Sequence, residues 1–285
     1  RILFVFLDGP IRPKSVPSKR KSLYPPTMPL KSRLDQLIVD LNLAPSRARA
    51  QALIKAGVVM VGGAPARKAS QTVAPDAEIT IIGDPNPWVS RAGLKLAGAL
   101  DTWSLSPAGA IALDVGASTG GFTEVLLNRG AAEVYALDVG HGQLHPSLQN
   151  HPQVHDLEGI NARAIPAGLI PPVDWIVSDV SFISLTKALP VPLSLAKPGA
   201  RLVALIKPQF ELSKAEIGKG GIVTDHAAHN KARAKVRTFL QASDWTIEAE
   251  VDSPITGSDG NVEFLISARN GGGRDLPLDE SVVPA

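Results

Sequence analysis

The 285-residue sequence contains no cysteine. Disulfide staples, thiolate zinc sites and cysteine nucleophiles are therefore excluded. No run of about 18 apolar residues occurs, the length that a membrane-crossing helix requires. The opening Arg1-Ile-Leu-Phe-Val-Phe-Leu7 is too short for a signal-peptide core with its cleavage site. The six histidines fall as the pairs His141/His145, His151/His155 and His226/His229, without the H-E-x-x-H context of a zinc helix. They read as surface residues, and no metal is expected. The G-x-G-x-x-G of a dinucleotide site is also missing, which argues against a nicotinamide dehydrogenase. Apolar and charged fractions of 44% and 20% are those of an ordinary globular protein.

Charge is present but unevenly spread. The net value is +2, yet residues 1–29 hold six Lys/Arg against one Asp. Residues 30–70 hold seven, Lys31, Arg33, Arg47, Arg49, Lys55, Arg67 and Lys68, against Asp35 and Asp40. Basic charge gathered in one module points to a nucleic-acid partner, and these seven are its candidate contacts.

The length suggests about two domains. Position 1 is not methionine, and Met28 precedes the first periodic segment. Translation is expected to start there, with residues 1–29 a disordered tail or a misassigned start. Over residues 30–83, Ser32-Arg-Leu-Asp35 reads as a capping box ahead of Leu34, Leu37, Ile38 and Leu41 at helical spacing. Pro45-Ser46 opens a second helix carrying Ala50, Leu53 and Ile54 and stopped by Gly57. Val58–Val61 and Glu78–Ile82 follow as short strands. Two helices followed by V-x-V-x-G resemble the S4 RNA-binding domain, a small α+β fold with no room for an active site. Residues 84–89 form a linker. From 90 to 269 a helix over Trp88–Leu100 leads into strands at Ile111–Val115, Val134–Asp138, Trp175–Asp179, Leu202–Lys207 and Glu263–Ser267. Helices are expected around residues 184–196 and 225–243. This alternation argues for an α/β, doubly wound sheet. Residues 270–285 have the composition of a disordered tail.

The most informative segment is Leu113-Asp-Val-Gly-Ala-Ser-Thr-Gly-Gly-Phe-Thr123. A buried strand ends at an acid and a glycine, a Gly-rich turn follows, and an amphipathic helix begins at Phe122. Glycines let the backbone approach a ligand, and free N–H groups at a helix start attract an anion. The pattern D-x-G-x-S-T-G-G-F-T resembles motif I of S-adenosylmethionine-dependent methyltransferases, whose loop receives a methionine carboxylate. The resemblance implies cofactor contacts from Asp114, Gly116, Ala117, Ser118, Thr119, Gly120, Gly121 and Phe122. Asp138, ending the second strand, is placed to bind ribose hydroxyls.

Several strands finish in an ionisable residue, and in an open α/β sheet those ends line the ligand crevice. Asp179 and Lys207 end two strands, Glu263 begins the last, antiparallel one, and Lys95 precedes the sheet. Together they make a two-base, two-acid cluster suited to a ribose 2′-hydroxyl, a poor nucleophile until its proton is partly removed. Lys207 is the candidate base, its pKa expected to fall through burial and the neighbouring Lys95. Asp179 and Glu263 would orient the ammonium groups. Other acceptors suit the chain less well. Carbon-5 methylation of pyrimidines commonly needs a cysteine, and amine methylation usually shows [DNS]-P-P-[YF] where this chain has Ser178-Asp-Val-Ser-Phe182.

Further motifs run along the chain: Trp88-Val-Ser-Arg-Ala-Gly-Leu-Lys-Leu96, Ala136-Leu-Asp-Val-Gly-His-Gly-Gln-Leu144, Ser178-Asp-Val-Ser-Phe-Ile-Ser-Leu185, Lys207-Pro-Gln-Phe-Glu211, Gly218-Lys-Gly-Gly221 and Ser253-Pro-Ile-Thr-Gly257 through Glu263. With the glycine loop, they make residues 30 to about 268 resemble the TlyA family, also called haemolysin A. The resemblance implies an S4 domain joined to an FtsJ-like, Rossmann-type methyltransferase. It implies S-adenosylmethionine as cofactor, cytidine 2′-hydroxyls of ribosomal RNA in ribosomal subunits as substrate, and a cytoplasmic setting. It also implies that Lys95, Asp179, Lys207 and Glu263 form the Lys-Asp-Lys-Glu tetrad. One departure is visible: the family helix often reads Arg-Gly-x-x-Lys-Leu, where this chain has Arg91-Ala-Gly-Leu-Lys-Leu96. Two alternatives stay open: a non-catalytic RNA-binding or ribosome-assembly factor, which predicts damage to the loop or the tetrad, and, more remotely, a membrane-active haemolysin.

Overall fold

A computed structural model describes residues 31–44, 46–83, 86–257 and 259–271. The suspected start at Met28, the tail over 1–29 and residues 272–285 of the second expected tail lie outside the described residues. The chain divides into two compact units between Pro87 and Trp88.

The first unit runs β1 (Ser32–Arg33), α1 (Leu34–Asp40), α2 (Arg47–Lys55), β2 (Val59–Val61), β3 (Ala64–Pro65), β4 (Thr72–Val73) and β5 (Ile79–Ile81). β1 pairs with β4, and β3-β2-β5 form a three-stranded sheet. Leu34, Leu37 and Ile38 from α1 meet Ala50, Leu53 and Ile54 from α2 in one core, closed by Val59 and Ile79. The 3.6-residue period thus places both apolar stripes face to face. Ser46 caps α2 by accepting the Arg49 N–H. The capping box expected at Ser32–Asp35 is absent. Ser32 and Arg33 pair with Val73 and Thr72 as strand, and α1 starts without a side-chain cap. Asp35 is instead buried and accepts hydrogen bonds from Arg33, Arg47 and Gln51. A shielded carboxylate needs several donors, and these neighbours satisfy it better than one backbone N–H could.

The second unit contains α3 (Ala92–Thr102), β6 (Ile111–Val115), α4 (Gly121–Asn128), β7 (Glu133–Asp138), α5 (Pro146–Gln149), β8 (Val154–Glu158), β9 (Val173–Ser178), α6 (Leu185–Ala188), α7 (Pro190–Ser194), β10 (Ala196–Ile206), α8 (Pro208–Glu211), α9 (His226–Ala242), β11 (Trp245–Asp252) and β12 (Phe264–Asn270). Its seven strands lie in the order β11-β12-β10-β9-β6-β7-β8. Six run in one direction, and β12 alone is reversed, antiparallel to both its neighbours β10 and β11. Alternation sends neighbouring side chains to opposite faces. Leu202, Ala204 and Ile206 pack in the core that holds Val236 and Leu240 of α9. Val203 and Leu205 pack in the core that holds Leu96 and Leu100 of α3 and Phe122 and Val125 of α4.

Several local expectations need correction. The helix read over Trp88–Leu100 begins only at Ala92, and the helix read around 184–196 is two short helices, the second opening at Pro190. Pro190 brings no N–H to continue the first. The last strand starts at Phe264, one residue after Glu263, and continues to Asn270, which pairs with Trp245. β8 and β11 belong to the sheet without having been read as strands. His229 is buried within α9, its Nε2 2.9 Å from the Val223 carbonyl oxygen, so not all histidines are surface residues.

Candidate functional site

Sheet order reverses between β9 and β6, and the crevice opens where their carboxyl ends diverge. The glycine loop leaves β6 at this point. Gly116 has φ +87°, and a Cβ there would meet the Asp179 carbonyl oxygen at 3.1 Å and Val180 Cγ1 at 3.0 Å. Gly120 has φ +92°, and a Cβ would strike Leu148 Cδ1 at 2.2 Å. Gly121 lies so close to α3 that a Cβ would meet Ser90 Oγ at 2.2 Å. No side chain caps the start of α4, whose N-cap is Gly120. Its first-turn N–H groups are therefore placed to receive an anion.

The acids of this region have different roles. Asp114 is fully buried; its Oδ2 accepts the Thr123 hydroxyl at 2.7 Å and its Oδ1 has no partner. Burial, opposed by the Thr123 bond and reinforced by the charges of Asp179 and Asp138, raises Asp114 to about 7. Asp138 accepts the Ser118 and Gly140 N–H groups, each at 2.8 Å, so its carboxylate braces the glycine loop against the turn after β7. Glu158, which sequence reading missed because β8 was not recognised, accepts the N–H groups of Gly142, Gln143 and Leu144. The Leu144 N–H, joined by those of Gln143 and Gly142, holds its carboxyl below the usual range.

A cavity of about 400 Å³ opens beside the loop, a volume ordinary for a small-molecule site. Gly116, Ala117, Ser118, Thr119 and Phe122 line it together with Lys95, Asp179 and Lys207. Lys207 Nζ stands 2.6 Å from Asp179 Oδ1 and donates to Ser181 Oγ at 2.8 Å. Lys95 Nζ donates to Glu263 Oε2 at 2.5 Å. Lys95, Lys207 and Glu263 are buried. Charges this deep persist only in pairs, and here two pairs share one neighbourhood. Glu263, Asp114, Gly120, Gly121 and Asp138 stand outside the cavity wall, and Glu263 reaches it through Lys95.

Phe182 was also missed. It is 91% exposed, has φ +64°, and its ring lies 5.1 Å from that of Phe210. Left-handed backbone is costly for a bulky residue and marks functional sites. The sequence signal was present in Ser178-Asp-Val-Ser-Phe182, but only the acid was read.

Of the seven candidate basic residues over 30–70, Lys31, Lys55, Arg67 and Lys68 are exposed. Arg33 and Arg47 are half-exposed while paired with Asp35, and Arg49 donates to the Asn86 carbonyl oxygen at 2.5 Å. Among the described residues, no helix is long and apolar enough to cross a membrane, and no group of three or more His, Asp or Glu is placed to hold a metal ion.

Comparison with known proteins agrees with this organisation. The FtsJ-like methyltransferase family model matches residues 88–270, and the S4 domain model matches residues 32–79. The chain is 43% identical to the 16S/23S rRNA (cytidine-2′-O)-methyltransferase TlyA of Mycobacterium tuberculosis, over 85% of this chain and 91% of that protein. It is 39% identical to Hemolysin A of Brachyspira hyodysenteriae, over 82% and 98% respectively. A solved structure from Streptococcus thermophilus, named as a hemolysin, superposes with a TM-score of 0.66 at 36% identity, covering 88% of this chain and 91% of that one. The chain belongs to the FtsJ-like methyltransferases, within the TlyA family that joins them to an S4 domain.

Proposed function

We propose that this protein is an S-adenosylmethionine-dependent methyltransferase that modifies the 2′-oxygen of a ribose, a cytidine in ribosomal RNA. One observation carries the reading: the pairs Lys207–Asp179 and Lys95–Glu263 meet beside the glycine loop, with both lysines on one cavity. The residues suit the cofactor. The glycine turn, where a Cβ at Gly116 would meet the Asp179 carbonyl oxygen at 3.1 Å, and the helix start at Gly120 fit a carboxylate. Residues 116–119 and Phe122 would hold the cofactor, with Asp138 and Asp114 bracing them. When bound, S-adenosylmethionine supplies a methyl group on a sulfonium, an electrophile that needs only a competent nucleophile.

Lys207 provides that nucleophile by accepting the 2′-hydroxyl proton. A lysine does so only as the free amine. Asp179 and Ser181 fix its nitrogen, and Lys95, anchored by Glu263, presents a cation to the acceptor's oxygen or adjoining phosphate. Phe182 offers an exposed ring on which a nucleobase can stack. The basic face of the S4 domain would supply RNA affinity. A ribosomal substrate is in keeping with a cytoplasmic place of work.

Positioned general bases contribute about 10²–10⁴-fold. Lys207→Ala should retain cofactor and RNA binding yet transfer methyl slower by that factor. Lys207→Arg should not recover the rate, because guanidinium keeps its proton. Methylation mapped by nucleoside mass spectrometry should lie on ribose. A methyl found on a base atom, or near-full activity in Lys207→Arg, would overturn the mechanism.

A further inference from the structure

The mechanism leaves unused a buried carboxylate close to the site. Glu211, at the end of α8, is 5% exposed, and the Ser184 beside it is 7% exposed. Its Oε2 accepts the Ser184 hydroxyl at 2.5 Å, and its Oε1 accepts the Leu185 N–H at 2.7 Å. Lys235 of α9 lies 3.2 Å from Oε2 and donates to the Glu211 carbonyl oxygen at 2.6 Å. One side chain thus ties the start of α6 to the end of α8, with α9 behind.

These ties join the two segments that carry the chemistry. Residues 179–184 cross from β9 to α6 as irregular chain. One end is fixed by the Asp179 N–H on the Val115 carbonyl oxygen at 3.1 Å, and the other by Glu211. Between the anchors lie Ser181, bonded to Lys207, and Phe182 with its left-handed backbone. Lys207 begins the turn that Glu211 ends, with Phe210 N–H on the Lys207 carbonyl oxygen at 2.9 Å. A six-residue span held at both ends has little freedom left, and released at one end it would carry Ser181 and Phe182 away from Lys207.

We propose that Glu211 and Ser184 are positioning residues: a buried clamp that sets the Asp179–Ser181–Phe182 segment against Lys207, and thereby the placement of the acceptor nucleotide. This rests on Lys207 acting in methyl transfer, as proposed above. A misplacement of about 1 Å can cost 10²-fold in rate.

The experiment compares Glu211→Gln, Glu211→Asp, Glu211→Ala, Ser184→Ala and Lys207→Ala in the full chain, with RNA kinetics, calorimetric cofactor affinity and Tm for each. Gln keeps the reach and an acceptor for the Leu185 N–H, so Glu211→Gln should keep most of kcat. Glu211→Asp and Glu211→Ala should lose about 10-fold or more in kcat, with cofactor affinity changed less than twofold. Ser184→Ala, which removes one hydroxyl and leaves the carboxylate paired with Lys235, should fall several-fold in kcat and keeps the test decisive if Glu211→Ala fails to fold. Glu211→Asp outperforming Glu211→Gln would show a mere counterion for Lys235 and overturn the clamp, as would full activity in Glu211→Asp and Ser184→Ala. Full activity in Lys207→Ala would instead remove the mechanistic reading on which the clamp rests.

Discussion

Asp114 shows how a single residue of the glycine loop is tuned by what surrounds it. A carboxyl raised by burial from an ordinary 3.8 to about 7 binds its proton more tightly in the folded chain than in the unfolded one. Its contribution to stability is complete below about pH 4 and is lost as pH rises through 7. Asp114→Asn keeps the shape without the ionisation. In cofactor-free protein, urea unfolding should show the variant gaining on the parent between pH 4 and 7 and holding a constant lead above it. A difference that does not vary with pH would mean that the carboxyl feels no such environment. The same residue illustrates what sequence can and cannot tell. Its place in the motif is written in the spacing to Gly116 and Gly120. Its protonation depends on Thr123, Asp138 and Asp179, the last of them brought near by folding alone.

At the scale of elements, the glycine loop is the part most fully legible, because backbone constraints appear directly as residue type. Gly116 needs φ +87°, and a Cβ there would stand 3.1 Å from the Asp179 carbonyl oxygen. Gly116→Ala should cost about 2 kcal/mol in stability, measured by chemical unfolding. It should also weaken cofactor binding by tenfold or more in calorimetry, since the loop must move away from β9. Unchanged affinity would separate this turn from the cofactor site. Other elements were less legible for identifiable reasons. β8, Val154-His-Asp-Leu-Glu158, is a polar edge strand whose apolar content is too low to announce itself. β11 alternates well enough, but it follows α9 after only Ser243 and Asp244 and no strong turn signal. Ser32-Arg-Leu-Asp35 matched a capping box in pattern alone, since the outcome was decided by Arg47 and Gln51, 12 and 16 residues beyond Asp35. Lys207 and Asp179 were read as candidates because an ionisable residue at a strand end is conspicuous. Phe182 and Glu211 were not, because an aromatic and an acid in a loop or short helix resemble many others until their exposure or burial is known.

For the whole molecule, the proposed division of RNA affinity from chemistry falls between the two compact units, and the basic cluster of the first is the place to test it. Arg33, Arg47 and Arg49 are engaged within that unit, so replacing them would disturb its structure along with any RNA contact. Lys55, Arg67 and Lys68 are exposed and make the cleaner test. Changing all three to Ala should weaken RNA binding and reduce its dependence on salt by about one counterion for each side chain that meets a phosphate. Cofactor affinity should stay as in the parent, and an unaltered salt slope would mean that these residues only face solvent. The order of the large sheet has a consequence of another kind. β12, the last strand among the described residues, is not an edge: β10 lies on one side of it and β11 on the other. During synthesis the sheet therefore stays open between β10 and β11 until residues 264–270 have left the ribosome. A chain stopped or cut shortly before them would not be a folded enzyme missing its margin. It would leave one whole flank of β10 unpaired, exposing a buried, apolar strand that invites other chains to complete it. Loss of the end of this unit is thus a route to aggregation rather than to a stable inactive protein.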